Sequence, residues 1–99
     1  MNGNGVEINL SKAFEWYSKA AEQGNSVSQG FIASFYYESK GIPQDYNKAF
    51  EWAYKAANQG DILGMSILSK CYQNGHGVKQ DDEKAQEWDK KCEASIYGI

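Results

Sequence analysis

Arginine is absent: all ten basic residues are lysine, set against thirteen acidic residues for a net charge of -3. A nucleic-acid binder needs a basic surface and favours the bidentate arginine fork, so that class of function is excluded. Histidine occurs once, proline once and cysteine twice. Two cysteines do not build a disulfide scaffold. A lone histidine leaves a metal centre or a nucleophile–base pair without partners, so no metal and no cofactor is expected. No apolar run approaches the roughly 18 to 20 residues of a membrane helix, and no signal peptide opens the sequence. The reading is a soluble chain with no membrane insertion, its compartment left open.

What is present suits one small domain. The chain has 99 residues, 41% hydrophobic and 23% charged, and is rich in aromatics, with three Trp and seven Tyr. A single core normally organises about 100 to 150 residues. Such a composition supports a packed core and gives no chemistry by itself.

Self-similarity settles the organisation. Residues 12–24 read KAFEWYSKAAEQG and residues 48–60 read KAFEWAYKAANQG, identical at ten of thirteen positions. A third copy begins at Lys84 as KAQEWDKKCEA, so both steps are 36 residues (48 − 12 and 84 − 48). The loops keep the same step: NGNGVEIN at 2–9, SKGIPQDY at 39–46 and NGHGVKQDD at 74–82. A fixed step over most of a chain means a solenoid whose units each touch only their neighbours.

Each unit reads as two helices. In 12–24 the apolar residues Ala13, Phe14, Trp16, Tyr17, Ala20 and Ala21 keep the rhythm of one buried helical face. Gly24 and Gly60 stop these helices, and Asn25 and Asp61 cap the next ones. Those next helices span about 26–38 and 62–74, with Ile32, Phe35 and Tyr36 matched by Leu68, Cys71 and Tyr72. A short loop follows with a glycine (Gly5, Gly41, Gly77) and an apolar residue (Val6, Ile42, Val78). Asn9, Asp45 and Asp81 then cap the following helix, and Pro43 lies in such a loop. The expected units are 1–24 (loop plus second helix), 25–60 and 61–99, the last ending without a clear cap. The fold expected is all-α: a right-handed superhelix of antiparallel helix pairs, about two and a half repeats long.

Lys12, Glu15 and Lys19 recur as Lys48, Glu51, Lys55 and as Lys84, Glu87, Lys91. This stripe is expected to face solvent, each glutamate four residues before a lysine, with the Ala/Trp stripe turned inward. The tryptophan column Trp16, Trp52 and Trp88 is read as packing rather than a sugar platform. The glutamate column is read as a solvated face rather than paired catalytic carboxylates. His76 is expected to be an exposed loop residue. Cys71 and Cys92 are offset by roughly 10 Å along an antiparallel pair, beyond disulfide reach, and are read as packing residues.

Tyr72, Gly75, Gly77, Val78, Asp81, Lys84, Ala85 and Trp88 form one frame. The middle copy repeats it as Tyr36, Gly41, Ile42, Asp45, Lys48, Ala49, Trp52, Lys55, Ala56, Ala57, Gln59 and Gly60. This frame resembles the Sel1-like repeat, a relative of the tetratricopeptide repeat, over essentially the whole chain. Ser39 replaces a loop glycine, and Cys92 and Glu93 replace an expected Ala-Ala. The resemblance implies a noncatalytic adaptor that binds a protein or peptide. Some cysteine-rich relatives are reported to bind or hydrolyse β-lactams. They carry a cysteine pair in every repeat, which this chain lacks. A third reading is self-association into a homo-oligomer through uncapped ends.

In this repeat class the first helix of each unit lines the concave side. The stripe left free by Ile32/Tyr36 and Leu68/Tyr72 contains Val27, Gly30, Ser34, Tyr37 and Glu38. In the next unit it contains Leu63, Ser66, Lys70, Gln73 and Asn74. These ten residues are the candidate groove, mixed and mildly polar, suited to a peptide segment rather than an enclosed small molecule.

Overall fold

The computed structural model describes residues 9–98, which form five helices. These are α1 (Leu10–Glu22), α2 (Ser26–Glu38), α3 (Tyr46–Asn58), α4 (Ile62–Asn74) and α5 (Asp82–Tyr97). The expected loop residues Gly5 and Val6, and the terminal Ile99, lie outside the described residues.

Every helix starts on the polar residue its sequence offers. Asn9, Asn25, Asp45, Asp61 and Asp81 have extended backbones, and each side chain accepts from the N–H three residues on. A cap of this kind is worth about 1 kcal/mol, because it satisfies a backbone donor the helix cannot. The C-terminal ends differ in kind. Residues α1 and α3 run into Gln23 and Gln59, after which Gly24 and Gly60 turn at φ 96° and 92°. Helix α2 instead ends on Ser39, the one non-glycine with positive φ among the described residues, held by its hydroxyl donating to the Ile42 carbonyl at 3.0 Å. Loop closure also repeats: Asp45 N–H donates to Tyr36 O, and Asp81 N–H to Tyr72 O.

Consecutive helices pack as antiparallel neighbours, and α2 additionally packs on α4. Among the described residues α1, α3 and α5 make no such approach to one another. A stack held close along one row and splayed along the other curves around the close row. The row α2–α4 is therefore the inner one. The result is an elongated body of 48 × 29 × 27 Å.

The core is built from small residues on the outer helices and large ones on the inner helices. Ala49, Ala53, Ala56 and Ala57 of α3 are buried, as are Ile32 of α2 and Met65, Ile67, Leu68 and Cys71 of α4. Alanines let helices approach closely, and Gly64 extends the device, since a Cβ there would sit 2.6 Å from that of Ala56. Between layers one aromatic arrangement recurs. Phe14 meets Tyr36 edge-on at 5.6 Å, and Phe50 meets Tyr72 edge-on at 5.5 Å. Lys48 then lies over Tyr36 at 5.8 Å and Lys84 over Tyr72 at 6.0 Å.

Two expectations change here. The lysine–glutamate stripe is exposed, but among the described residues none of its glutamates is in an ion pair. Its lysines lie instead on aromatic rings, Lys55 over Trp52 at 4.7 Å and Lys91 over Trp88 at 4.4 Å. The quadrupole of a tryptophan face attracts a cation at that range, and the apolar lysine stem covers ring carbon at the same time. The tryptophan column is also not uniform. Trp52 and Trp88 are half-buried against the core, whereas Trp16 is 69% exposed.

Candidate interaction groove

Two close approaches build the inner row. At Gly30, a Cβ would overlap the Asp61 carboxylate and touch Leu63, so the absent side chain is what lets α4 begin against α2. Burial there pushes the Asp61 carboxyl above its ordinary value, while its hydrogen bond from Gly64 N–H works the other way. At the far end, Gly77 has φ 74°, and a Cβ on it would collide with the Tyr46 carbonyl. The loop after α4 is thereby laid on the start of α3. The earlier layer repeats this, with Gly41 (φ 74°) seated on Leu10.

Seating that loop brings His76 into the groove. Its ring stacks on Tyr46 at 3.9 Å, nearly parallel at 2°, and its Nδ1 shares a hydrogen bond with the Tyr37 hydroxyl at 3.0 Å. His76 is half-buried, a bridge between layers rather than the free loop residue expected. Burial raises the Tyr37 hydroxyl above its ordinary pKa, and the nearby Asn74 side chain, which donates to the Lys70 carbonyl at 3.1 Å, works the other way. Glu38 is held below the usual carboxylate value, first by its hydrogen bond from Lys40 and also by Ser34 and the nearby Lys70. The Lys40–Glu38 contact is 2.9 Å, and Ser34 Oγ donates to Glu38 at 3.1 Å.

The ten candidate residues thus fall into three sets. Tyr37 and Glu38 close α2 and Lys70 and Asn74 close α4, forming a polar end of the inner row where Glu38, Lys70, Gln73 and Asn74 are exposed. Gly30 and Ser34 are buried between the helices and offer a partner no free side chain, while Leu63 and Ser66 are half-buried. Val27 is exposed near the start of α2, about 15 Å of helix from Tyr37. Sequence reasoning missed His76 and Tyr46. The signal was present in the loop glycines, each 31 residues after the helix-start residue it rests on (41 − 10 and 77 − 46).

Elsewhere the chemistry is sparse. Among the described residues no group of three or more His, Cys, Asp or Glu side chains could hold a metal, and no helix is long and apolar enough to cross a membrane. Cys71 and Cys92 are free and buried, and the Cys92 thiol reaches the Ile62 carbonyl at 3.7 Å.

A stack of capped helix pairs with one close inner row defines an α-solenoid of the tetratricopeptide-like class. Comparison with known proteins sharpens this. The Sel1 repeat pattern matches residues 1–25, 26–61 and 62–89, and the chain belongs to the Sel1 repeat family. It is similar to a Sel1 repeat protein from Oxalobacter formigenes, with 32% identity, a TM-score of 0.84, and coverage of 93% of this chain and 70% of that one. It is also similar to cysteine rich protein B of Helicobacter pylori, at 28% identity and TM-score 0.79, covering 93% of this chain and 73% of that one. A protective antigen of uropathogenic Escherichia coli strains displaying an SLR fold matches at 34% identity and TM-score 0.84, over 94% of this chain and 20% of that one. Sel1 repeats serve generally as protein-interaction modules.

Proposed function

We propose that the chain is a noncatalytic scaffold that binds a segment of a protein partner along the α2–α4 groove. The observation that carries the reading is the direct packing of α2 on α4, which puts the C-terminal turn of one, with Tyr37 and Glu38, on the same inner row as that of the other, with Lys70 and Asn74. These side chains offer hydrogen-bond donors, acceptors and both charges on two helices that pack directly on each other. A backbone segment laid there finds partners for its own polar groups, while Val27 and Leu63 supply apolar contact further along. That is peptide recognition by an open surface. The units 1–24, 25–60 and 61–99 are the scaffold's working divisions, two adjacent inner helices being the smallest groove.

The test is a peptide-library selection against the whole chain. Selected binders should lose affinity for Lys70→Glu and for Asn74→Arg, and keep it for Glu51→Lys on the outer helix α3. Binders indifferent to the two inner substitutions would remove the groove from consideration.

A further inference from the structure

His76 is the only histidine in the chain, and imidazole is the side chain whose charge ordinarily changes between pH 5 and 8. The fold sets it where that change is felt. Gly77, at φ 74°, seats the loop on α3, and the His76 ring lies parallel on Tyr46. Its Nδ1 meets the Tyr37 hydroxyl on α2 at 3.0 Å. Both residues are half-buried, so part of each stays within reach of a partner on the inner row.

The Tyr37–His76 contact can carry its proton in two directions. A neutral ring with its proton on Nε2 has a lone pair at Nδ1, and the tyrosine hydroxyl donates to it. A protonated ring has N–H at both nitrogens, so Nδ1 donates and the tyrosine oxygen accepts. The hydroxyl proton is then free to turn to another acceptor. In the neutral molecule the surroundings favour the first arrangement. The Asn74 side chain works to lower the Tyr37 hydroxyl, the direction in which a donor near the phenol oxygen acts. An oxygen faced by a donor turns its own proton to Nδ1. The Tyr46 stack suits both states, because a tyrosine face at 3.9 Å attracts a cation and also packs on a neutral ring. The ring gains charge without having to move.

What the surroundings lack is a counter-charge. The other titratable or charged groups nearby are Glu38 on α2, Asp45 on α3, Lys70 and Cys71 on α4, and Lys79 and Asp81 in the same loop. Asp45 and Asp81 are committed to capping, accepting from Lys48 N–H and Lys84 N–H. Asp82, where α5 begins, accepts from Gln80, and Glu38 is paired with Lys40 at 2.9 Å. Among the described residues no carboxylate forms an ion pair with His76 or with Lys70.

We propose that this end of the groove takes a carboxylate-bearing segment of a protein, and takes it more tightly when His76 is protonated. The carboxylate accepts from the released Tyr37 hydroxyl and lies beside the charges of His76 and Lys70. The inference rests on the groove reading above, and adds the chemistry of the partner and its control by pH. A partner carboxylate stays ionised above its ordinary value of about 4. The coupling therefore has one sign: binding strengthens as pH falls from 8 towards 5.5, and by reciprocity a bound carboxylate holds the proton on His76.

The probe is a capped peptide of alternating glutamate and serine, with a glutamine–serine peptide as its neutral counterpart. Each is titrated into the full ¹⁵N-labelled chain at pH 5.5 and at pH 8. The glutamate peptide should give saturable shifts at Lys70, Asn74 and His76, with affinity higher at pH 5.5 by roughly fivefold or more. The glutamine peptide should show no such preference. His76→Phe keeps a flat ring on Tyr46 and should remove the pH dependence, while Tyr37→Phe should reduce it and weaken binding at pH 5.5. Ring ¹⁵N shifts of His76 in the free chain read the tautomer without any substitution, and should show the neutral ring protonated at Nε2. A neutral ring protonated at Nδ1 would overturn the proposal. So would a glutamate peptide that does not bind, that binds equally at both pH values, or whose pH dependence survives Tyr37→Phe in full. Those outcomes leave the groove itself standing, provided library-selected binders still lose affinity for Lys70→Glu. Binders indifferent to that change would remove both readings.

Discussion

Gln59, at the end of α3, donates from Nε2 to Oε1 of Gln29 in α2 at 2.7 Å, and Gln29 is buried. Gln29 passes the connection on, its own Nε2 donating to the Ala21 carbonyl of α1 at 3.1 Å. Three helices are tied by one pair of amides. Thirty-six residues later the same two positions are Met65 and Ser95, and Ser95 Oγ reaches Met65 Sδ at 3.9 Å. The position is retained while its chemistry changes from a strong polar pair to a weak one.

This relationship predicts a non-additive mutant cycle. Gln59→Ser leaves the buried Gln29 oxygen without its donor and should cost about 1 to 2 kcal/mol. Gln29→Met removes one of the two hydrogen bonds that the Ala21 carbonyl accepts, Gly24 N–H keeping the other, and leaves the exposed Gln59 amide to the Lys55 carbonyl and water, so it should cost less, under about 1 kcal/mol. The double change imports the pair used one repeat later, and its cost should fall below the sum by about 0.5 kcal/mol or more. Urea unfolding of the four proteins measures this, and strict additivity would mean the amides act separately.

The glycine loops give a second contrast. Gly60 and Gly77 both have positive φ, but a Cβ on Gly60 meets open space while one on Gly77 meets the Tyr46 carbonyl. Gly60→Ala should therefore cost only the left-handed backbone penalty, about 1 to 2 kcal/mol. Gly77→Ala adds a collision with backbone that cannot rotate away. It should cost clearly more, and should also alter the ring-stacked His76 resonances. Equal losses in urea unfolding would show that the loop does not rest on α3 as described.

Much of this architecture was legible in the sequence because the contacts are local or strictly periodic. Each N-cap bonds three residues ahead, so Asn9, Asn25, Asp45, Asp61 and Asp81 could be read without knowing the fold. Other features depend on what stands across a layer. Trp16, Trp52 and Trp88 are the same residue at the same register, yet only the latter two have an inner helix before them among the described residues. His76 looked free because its partners, Tyr37 and Tyr46, lie 39 and 30 positions away and are joined to it only by the loop's seat on α3. Glutamates four residues from lysines suggested ion pairs, but the lysine stems gain more by covering aromatic carbon than by holding an exposed pair. In the candidate groove, a helical stripe cannot tell which positions the next inner helix occupies, and Gly30 and Ser34 are buried by the approach of α4.

Asp61 and Glu38 should respond to pH with opposite signs. Burial raises the Asp61 carboxyl above its ordinary value of 3.8, so the folded state carries a penalty wherever the group is ionised. That penalty is full above the folded pKa and disappears as pH falls through it toward 3.8. Asp61→Asn keeps the capping oxygen, as Asn25 does naturally, and removes the charge. It should stabilise the protein near neutral pH by about 0.5 kcal/mol, a figure reduced for solvent screening, with the advantage vanishing in acid. Glu38 is held below its ordinary value of 4.5, so its contribution is present above that pH and lost as pH falls through the folded value. Glu38→Gln should accordingly be the weaker protein at neutral pH and draw level with the wild type in acid. Thermal midpoints across pH 3 to 7 would check both, and parallel curves would exclude either role.

The buried thiols supply the last prediction. Burial alone pushes Cys71 up to about 11, and burial is also the main cause raising Cys92, with Asp89 and Glu93 adding to it. The thiolate is the reactive species, so neither should react with a disulfide reagent at pH 8 in the folded chain, and both should react at once in denaturant. The same shift links to stability. Above the ordinary thiol value of 9.0 the unfolded Cys71 releases a proton that the folded one keeps until about 11, so stability should fall across that interval. Cys71→Ala should flatten this alkaline loss while lowering stability at every pH, because a side chain with no exposure leaves a cavity among Leu68, Tyr72 and their neighbours. Rapid labelling of Cys71 in the folded state would mean that α4 opens locally, and the tight inner row on which the groove depends would not hold.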